Sequence, residues 1–242
     1  MSCCANSARL RSGYRKGEML LAVDTATHMA SLALYDEAKG WVLGEESWYS
    51  ANNHTVELMP RLVRLLEQQG IAPTDLTGLV VSLGPGSFTG LRIALSMVKG
   101  LALARGLPLV GIPTLDVVAH PHLVQKRPVW AILQAGRGRI CARHYAYHRG
   151  HWQAEEEYQL TTLEALCNQA TEPTLFCGEI DARDSEQIQQ RLGSEATIAS
   201  PAASLRRAAY LAELGWKRLS KGDTDNPSTL APIYLHNPPI DA

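Results

Sequence analysis

The spacing of apolar positions changes along the chain, and each change predicts an element. Residues 20–24 and 31–35 are short β-type runs joined by a polar turn, and 41–50 offers a third strand beyond the turn residues 36–40. From 55 to 69 the period lengthens: Leu58, Met59, Leu62, Val63, Leu65 and Leu66 recur three and four apart, which is helical spacing. Pro60 inside this run predicts a kink or a helix that effectively begins near it, and Gly70 is a natural stop. A strand over 79–83, a second helix ending near 105 and a strand over 109–112 follow. Strands and helices in this alternation read as an α/β lobe.

A second lobe is expected from Pro113 onward. Residues 129–133 and 139–147 read as paired strands around Gly136-Arg137-Gly138, with further strands over 152–160 and 174–177 and helices over 162–169 and 181–191. Residues 204–220 place Leu205, Ala208, Ala209, Leu211, Ala212, Leu214 and Leu219 on one face of an amphipathic helix. The stretch 223–239, rich in Pro, Asn and Ser, is expected to be extended. The division is therefore a disordered leader over 1–18, a first lobe over 19–112, a second lobe over 113–200, and over 201–242 a helix and tail packing back on both.

Composition narrows the classes. With 45% hydrophobic and 19% charged residues among 242, the chain buries a core, which excludes a disordered protein. Twenty-three basic against 24 acidic residues exclude a protein that grips nucleic acid by bulk charge. No stretch reaches the ~20 apolar residues of a membrane helix, and 1–18 lacks the apolar segment of a secretory signal, so a cytoplasmic protein with no membrane contact is expected. Locally, no acid occurs between Asp116 and Glu155, while Arg137, Arg139 and Arg143 stand among interleaved aromatics. That segment reads either as a solvated edge or as an RNA-backbone contact through those three arginines.

Two stretches have the form of phosphate loops. In Leu20-Leu21-Ala22-Val23-Asp24-Thr25-Ala26-Thr27 a strand ends in Asp24 and a small-residue turn follows, which is one way of bringing backbone N–H groups to an anion. Ala26 stands where a glycine is wanted, and a plain hairpin with Asp24 capping its turn is the alternative. In Gly84-Pro85-Gly86-Ser87-Phe88-Thr89-Gly90 a Gly-Pro-Gly turn opens a helix, but without the Gly-Lys-Ser/Thr of a Walker loop. The alternative is a tight turn with Ser87 as N-cap. The helix after it is apolar on two sides. Leu91, Ala94, Leu95, Val98 and Leu101 form one stripe, while Ile93, Met97, Gly100 and Ala104 form another. One side must meet the lobe's own sheet; the other needs a cover, and its small residues admit a second backbone. Leu58, Leu62, Leu65, Ile93, Met97, Gly100 and Ala104 are the candidate partner surface, a wholly buried core helix being the alternative.

Residues 20–33, 54–60, 80–93 with their Gly-Pro-Gly-Ser-Phe-Thr-Gly-Leu-Arg-Ile core, and 100–114 resemble the bacterial TsaB (YeaZ) family. These are partner subunits of the machinery that makes threonylcarbamoyladenosine (t6A) in tRNA. The resemblance covers residues 19–120 well and the second lobe weakly, and returns in Pro232-Ile233-Tyr234-Leu235. It implies an α/β, actin-like (ASKHA, RNase H-like) two-lobe fold with a degenerate nucleotide site at Asp24, Thr25, Gly84, Gly86 and Ser87, and no intrinsic catalysis. It further implies that the helices after Asn53 and Ser87 dock on the catalytic subunit TsaD, or form a homodimer without it. TsaE, a small ATPase, would join the assembly, tRNA would be reached through the complex, and ATP and metal would belong to the partner subunits. The supported reaction is threonylcarbamoylation of N6 of adenosine 37 in tRNAs reading codons that begin with A.

Two departures bear on mechanism. The catalytic paralogue carries Gly-Val-Asn-His-x-x-x-His, whose histidines hold a metal; here Thr114 and Val118 stand in those places, and a valine ligates nothing. Gln134 stands where the family usually shows the acid of Asp-Ala-Arg. The rival reading is an active enzyme of the same superfamily, an ASKHA phosphotransferase or a metallo-glycopeptidase.

Overall fold

Every residue of β1 (Met19–Asp24) is buried, the pattern of a strand covered on both faces. β2 (Met29–Asp36) and β3 (Trp41–Tyr49) return antiparallel beside it. Parallel neighbours need crossovers, and α1 (His54–Gln69) and α2 (Phe88–Arg105) supply them for β4 (Leu76–Ser82) and β5 (Leu109–Ile112). The sheet order is β3-β2-β1-β4-β5. The computed structural model describes residues 19–51, 53–154 and 158–235, so the expected leader over 1–18 lies outside the described residues.

The chain then repeats the plan. After α3 (Thr114–Ala119) come β6 (Val129–Gln134), β7 (Ile140–His148), β8 (His151–Ala154), β9 (Gln159–Thr161), α4 (Leu163–Cys167), β10 (Thr174–Gly178), α5 (Ala182–Leu192) and β11 (Ala196–Ile198). The second sheet runs β11-β10-β6-β7-β8, with β9 also on β7. In both sheets the first strand has an antiparallel pair of strands on one side and a parallel pair on the other. α3 packs on one face of the second sheet through Leu115, Val118 and Ala119, and α4 and α5 pack on the other through Leu163, Leu166 and Ile188. Last comes α6 (Ala208–Leu219), which returns to the first sheet.

The first sheet is thus a filling between two helical layers. Leu21, Val23, Leu32, Leu34, Leu79 and Val81 meet α1 and α2, while Leu20, Ala22, Ala33, Val80 and Val110 meet α6. This decides which stripe of α1 points inward. Leu58, Leu62 and Leu65, read from the sequence as partner surface, are core residues, with Leu58 only 1% exposed. The outward stripe is Val56, Met59 and Val63, at 69%, 47% and 47% exposure. The correction has a simple cause: a stripe dense in leucine is drawn to the sheet, the larger apolar surface within reach. On α2 the inward residues are Leu91, Ala94, Leu95, Val98 and Ala102; Ile93 and Met97 are half-buried at the edge of the same core, and Gly100 and Ala104 are exposed.

Three boundaries depart from expectation. α1 begins at His54 and continues through Pro60, because Pro60 lies on the exposed side, where the carbonyl of Val56 faces water. The single strand expected over 152–160 is two strands, β8 and β9, each paired with β7. α6 starts at Ala208 rather than at 204, for a reason found at the lobe junction. Truncating Leu58 to Ala is expected to cost about 2–5 kcal/mol of stability and Val63→Ala no more than ~0.5 kcal/mol, in urea denaturation. The reverse ranking would mean that α1 is turned the other way.

Candidate functional site

β1 delivers Asp24 to the junction of the lobes with its carboxylate wholly buried, at 0% exposure. Oδ1 accepts hydrogen bonds from the Ala26 backbone N–H and the Ser82 hydroxyl, both at 2.9 Å. Oδ2 accepts from Nε of Arg206, itself only 5% exposed. The same guanidinium donates to the Thr27 hydroxyl at 3.1 Å and the Met29 carbonyl at 2.7 Å. A carboxylate removed from water is tolerated when donors replace that water, and here a backbone amide, a hydroxyl and a guanidinium do so. This contact also sets the start of α6. Arg206 leaves the helical stripe to reach Asp24, Arg207 is extended, and Glu45 accepts from the N–H of Ala209 at 3.0 Å while pairing with Arg207. The carboxylate of Glu45 thereby caps the α6 N-terminus.

The two candidate phosphate loops lie against one another. The Ser87 N–H donates to the Ala26 carbonyl at 2.6 Å, and the Thr25 hydroxyl to the Gly90 carbonyl at 2.7 Å. A Cβ on Gly86 would sit 2.2 Å from the Ala26 carbonyl oxygen, and one on Gly90 2.1 Å from that of Thr25. These glycines therefore admit the carbonyls of the neighbouring turn. Gly84 donates to the Thr114 hydroxyl at 3.0 Å, and Gly90 to the hydroxyl of Ser87, which is the N-cap of α2. Thr114, one of the two positions compared with metal-binding histidines, is thus an acceptor for the loop, and Val118 is buried core. Residues 230–235 cross the same loop as a strap. Ile233 donates to Leu83 at 2.8 Å, Lys99 to the Leu230 carbonyl at 3.0 Å, and Arg92 to the Tyr234 hydroxyl at 2.9 Å while stacking on Phe88.

Beside Arg206 opens a cleft of about 320 Å³ whose wall includes Met29, Leu133, Gln134, Glu179 and Asp181. Gln134 donates its amide to the Glu179 carbonyl at 2.9 Å and to Asp184 at 2.8 Å, and its backbone N–H to the Glu179 carboxylate at 2.9 Å. An aspartate at 134 would set its carboxylate against the Glu179 carbonyl and the Asp184 carboxylate with no proton to offer. That accounts for the amide here. Of the basic residues singled out in the sequence, Arg143 is half-buried and paired with Asp116 at 2.9 Å, an acceptor it shares with the Tyr145 hydroxyl. It is turned into the lobe and is no candidate for RNA, which corrects that expectation. Arg139 is half-buried and Arg137 exposed at the tip of the β6–β7 turn.

Two sheets of one strand order, joined so that a turn after the first strand meets the cleft between them, define the actin-like class of proteins. That class implies a metal–nucleotide in the cleft, and the residues present do not fit one. The turn's N–H groups at Ala26, Gly84, Ser87 and Gly90 are used internally, both oxygens of Asp24 accept hydrogen bonds, and Glu179 and Asp181 would face the phosphates. Among the described residues, no three His, Cys, Asp or Glu side chains gather into a metal-binding group. A family profile described as "TsaD: tRNA N6-adenosine threonylcarbamoyltransferase" matches residues 48–238. The chain is 30% identical over 219 residues to the "tRNA threonylcarbamoyladenosine biosynthesis protein TsaB" of Bacillus subtilis, covering 89% of this chain and 93% of that protein. It is 28% identical to the protein of the same name from Escherichia coli, over 90% of this chain and 94% of that one. Its fold is similar to that of "YeaZ from Pseudomonas aeruginosa", with TM-score 0.73 and 25% identity over 90% of this chain and all of that one. The chain belongs to this family of actin-like proteins, on its TsaB (YeaZ) branch.

Sequence reading missed Arg206, which is 182 residues from Asp24 and carries no local signal. It also passed over His54, buried at the first position of α1 beside the Thr27 turn with no partner for its Nδ1. Burial, opposed by Glu57, lowers its pKa below the ordinary 6.5, and burial lowers those of His120 and His122 too. The unfolded chain then binds these protons more readily than the folded one, so stability present above pH ~6.5 is lost as pH falls below it. The melting temperature is expected to drop between pH 7 and pH 5, and His54→Gln to flatten part of that drop. An identical pH slope in the variant would remove His54 from the account.

Proposed function

We propose that this protein is a non-catalytic scaffold subunit in the formation of t6A in tRNA. The observation that carries this reading is the internal use of the phosphate turn: the amides of Ala26, Gly84, Ser87 and Gly90 and both oxygens of Asp24 are hydrogen-bonded within the chain, and Gly86 and Gly90 admit carbonyls of the neighbouring turn. A site that must bind and release phosphate needs free donors aimed at the anion, and the amides of Ala26, Gly84, Ser87 and Gly90 are already engaged within the chain. The chemistry then belongs to partners: a TsaD-type catalytic subunit that modifies adenosine N6, and a TsaE-type ATPase, with ATP and metal held by them. Transfer RNA is engaged through the assembly.

The docking surface follows from the first lobe. α1 and α2 cover the same face of the first sheet, and their outer sides carry Val56, Met59 and Val63 on one helix and Gly100, Leu103 and Ala104 on the other. Ile93 and Met97 are half-buried between that surface and the core. Apolar side chains next to small residues suit close helix-on-helix packing, with the catalytic subunit or, in its absence, with a second copy. Val63→Glu and Ala104→Glu put a charge on this surface without entering the core. Each is expected to leave thermal melting of the isolated protein within about 2 °C while weakening association with a TsaD-type subunit by ~3 kcal/mol or more, on the order of a hundredfold. Undiminished co-purification of both variants would move the partner elsewhere. Nucleotide turnover by the isolated protein would favour the enzyme reading instead.

A further inference from the structure

Arg206, the donor to Asp24 Oδ2, is among the most deeply buried charged residues described. Its guanidinium contacts Asp24, Thr27 and Met29, which are the end of β1, the turn after it and the start of β2. It reaches them from a segment that, with Ser204 and Leu205, forms part of the cleft wall between the lobes. A lysine there would be a single point donor; the planar fork of arginine reaches three acceptors from one side chain.

We infer that Arg206 is the residue that closes this cleft to metal–nucleotide, a cation supplied in cis at the aspartate where the fold class brings phosphate and its counter-ion. The inference rests on the scaffold reading and deepens it by naming the determinant. The charge balance supports it. With Arg206 in place, the negative charge of Asp24 is matched within hydrogen-bond distance and its Oδ2 is occupied. Without the guanidinium, Asp24 would keep its two donors on Oδ1, Oδ2 would lose Arg206, and the carboxylate would look into a cleft already lined by Glu179 and Asp181. Such a site attracts a cation, and a cation is what a nucleotide triphosphate brings with it. The change is confined to one side chain, because the turn amide and the Ser82 hydroxyl stay on Oδ1 and Glu179 and Asp181 stay in the cleft wall.

The test uses the full chain and Mn²⁺, alone and with ATP, followed by calorimetry and by the spin-resonance signal of free Mn²⁺. Wild type should take up neither, and Arg206→Ala should bind Mn²⁺ at least tenfold more tightly than wild type, with ATP strengthening the uptake. Adding Asp24→Asn to that variant should abolish it. A folded Arg206→Ala protein that binds no better than wild type overturns the inference and leaves the scaffold reading intact. Asp24-dependent binding of Mn²⁺–ATP by wild type overturns both. Where Arg206→Ala does not fold, Arg206→Gln is read in its place. If neither folds, recovery of folding on adding Mn²⁺ supports the inference, and failure to fold with or without Mn²⁺ overturns it.

Discussion

A carboxylate withdrawn from water must find donors inside the protein, and Asp24 sets that demand for the whole first lobe. Its donors come from three places distant in sequence: the turn it begins, the end of β4 and the segment before α6. Meeting the demand therefore fixes the hairpin, the parallel sheet and the returning chain in one arrangement. The glycine loop then closes on the same turn, since Gly86 and Gly90 are the residues that let the carbonyls of Ala26 and Thr25 come so near. Arg206 delays the start of the last helix, and α6 follows from Ala208 against the open face of the sheet.

The consequence for function is a division between inside and outside. Toward the cleft, polar groups that resemble a nucleotide site are consumed in holding the lobes; toward solvent, α1 and α2 present an apolar surface with small residues. In the proposed reading that outer helical face serves a partner, while the amides of Ala26, Gly84, Ser87 and Gly90 are engaged within the chain. The strap over 230–235 belongs to the same economy, tying the last described residues to the loop that opens α2.

Much of this was legible in the residues, and the failures have physical causes. Period alone placed β1, β2, β3, α1, α2 and β5 within a few residues, because each is long or strongly patterned. It did not say which face of α1 turns inward, since Leu58-Leu62-Leu65 and Val56-Met59-Val63 both recur at helical spacing and only the sheet chooses between them. The Gly-Pro-Gly-Ser-Phe-Thr-Gly run was plainly a place of close approach. What approaches is a carbonyl from the other turn, and a glycine is silent on whether it admits an anion or a backbone. Arg206 and the pairing of Arg143 with Asp116 are contacts across the fold, which no window of sequence contains. Gln134 became intelligible only beside Glu179 and Asp184.

The central claim is that Asp24 and Arg206 form one buried charge pair on which the junction depends. The most direct measurement is a double-mutant cycle in urea denaturation with Asp24→Asn, Arg206→Gln and the two combined. Each single change leaves a partner stranded in the interior and is expected to cost about 3–5 kcal/mol. The double variant should cost clearly less than the sum, a coupling of ~2 kcal/mol or more. Small single effects that simply add would contradict the claim and return Asp24 to the role of an ordinary turn cap.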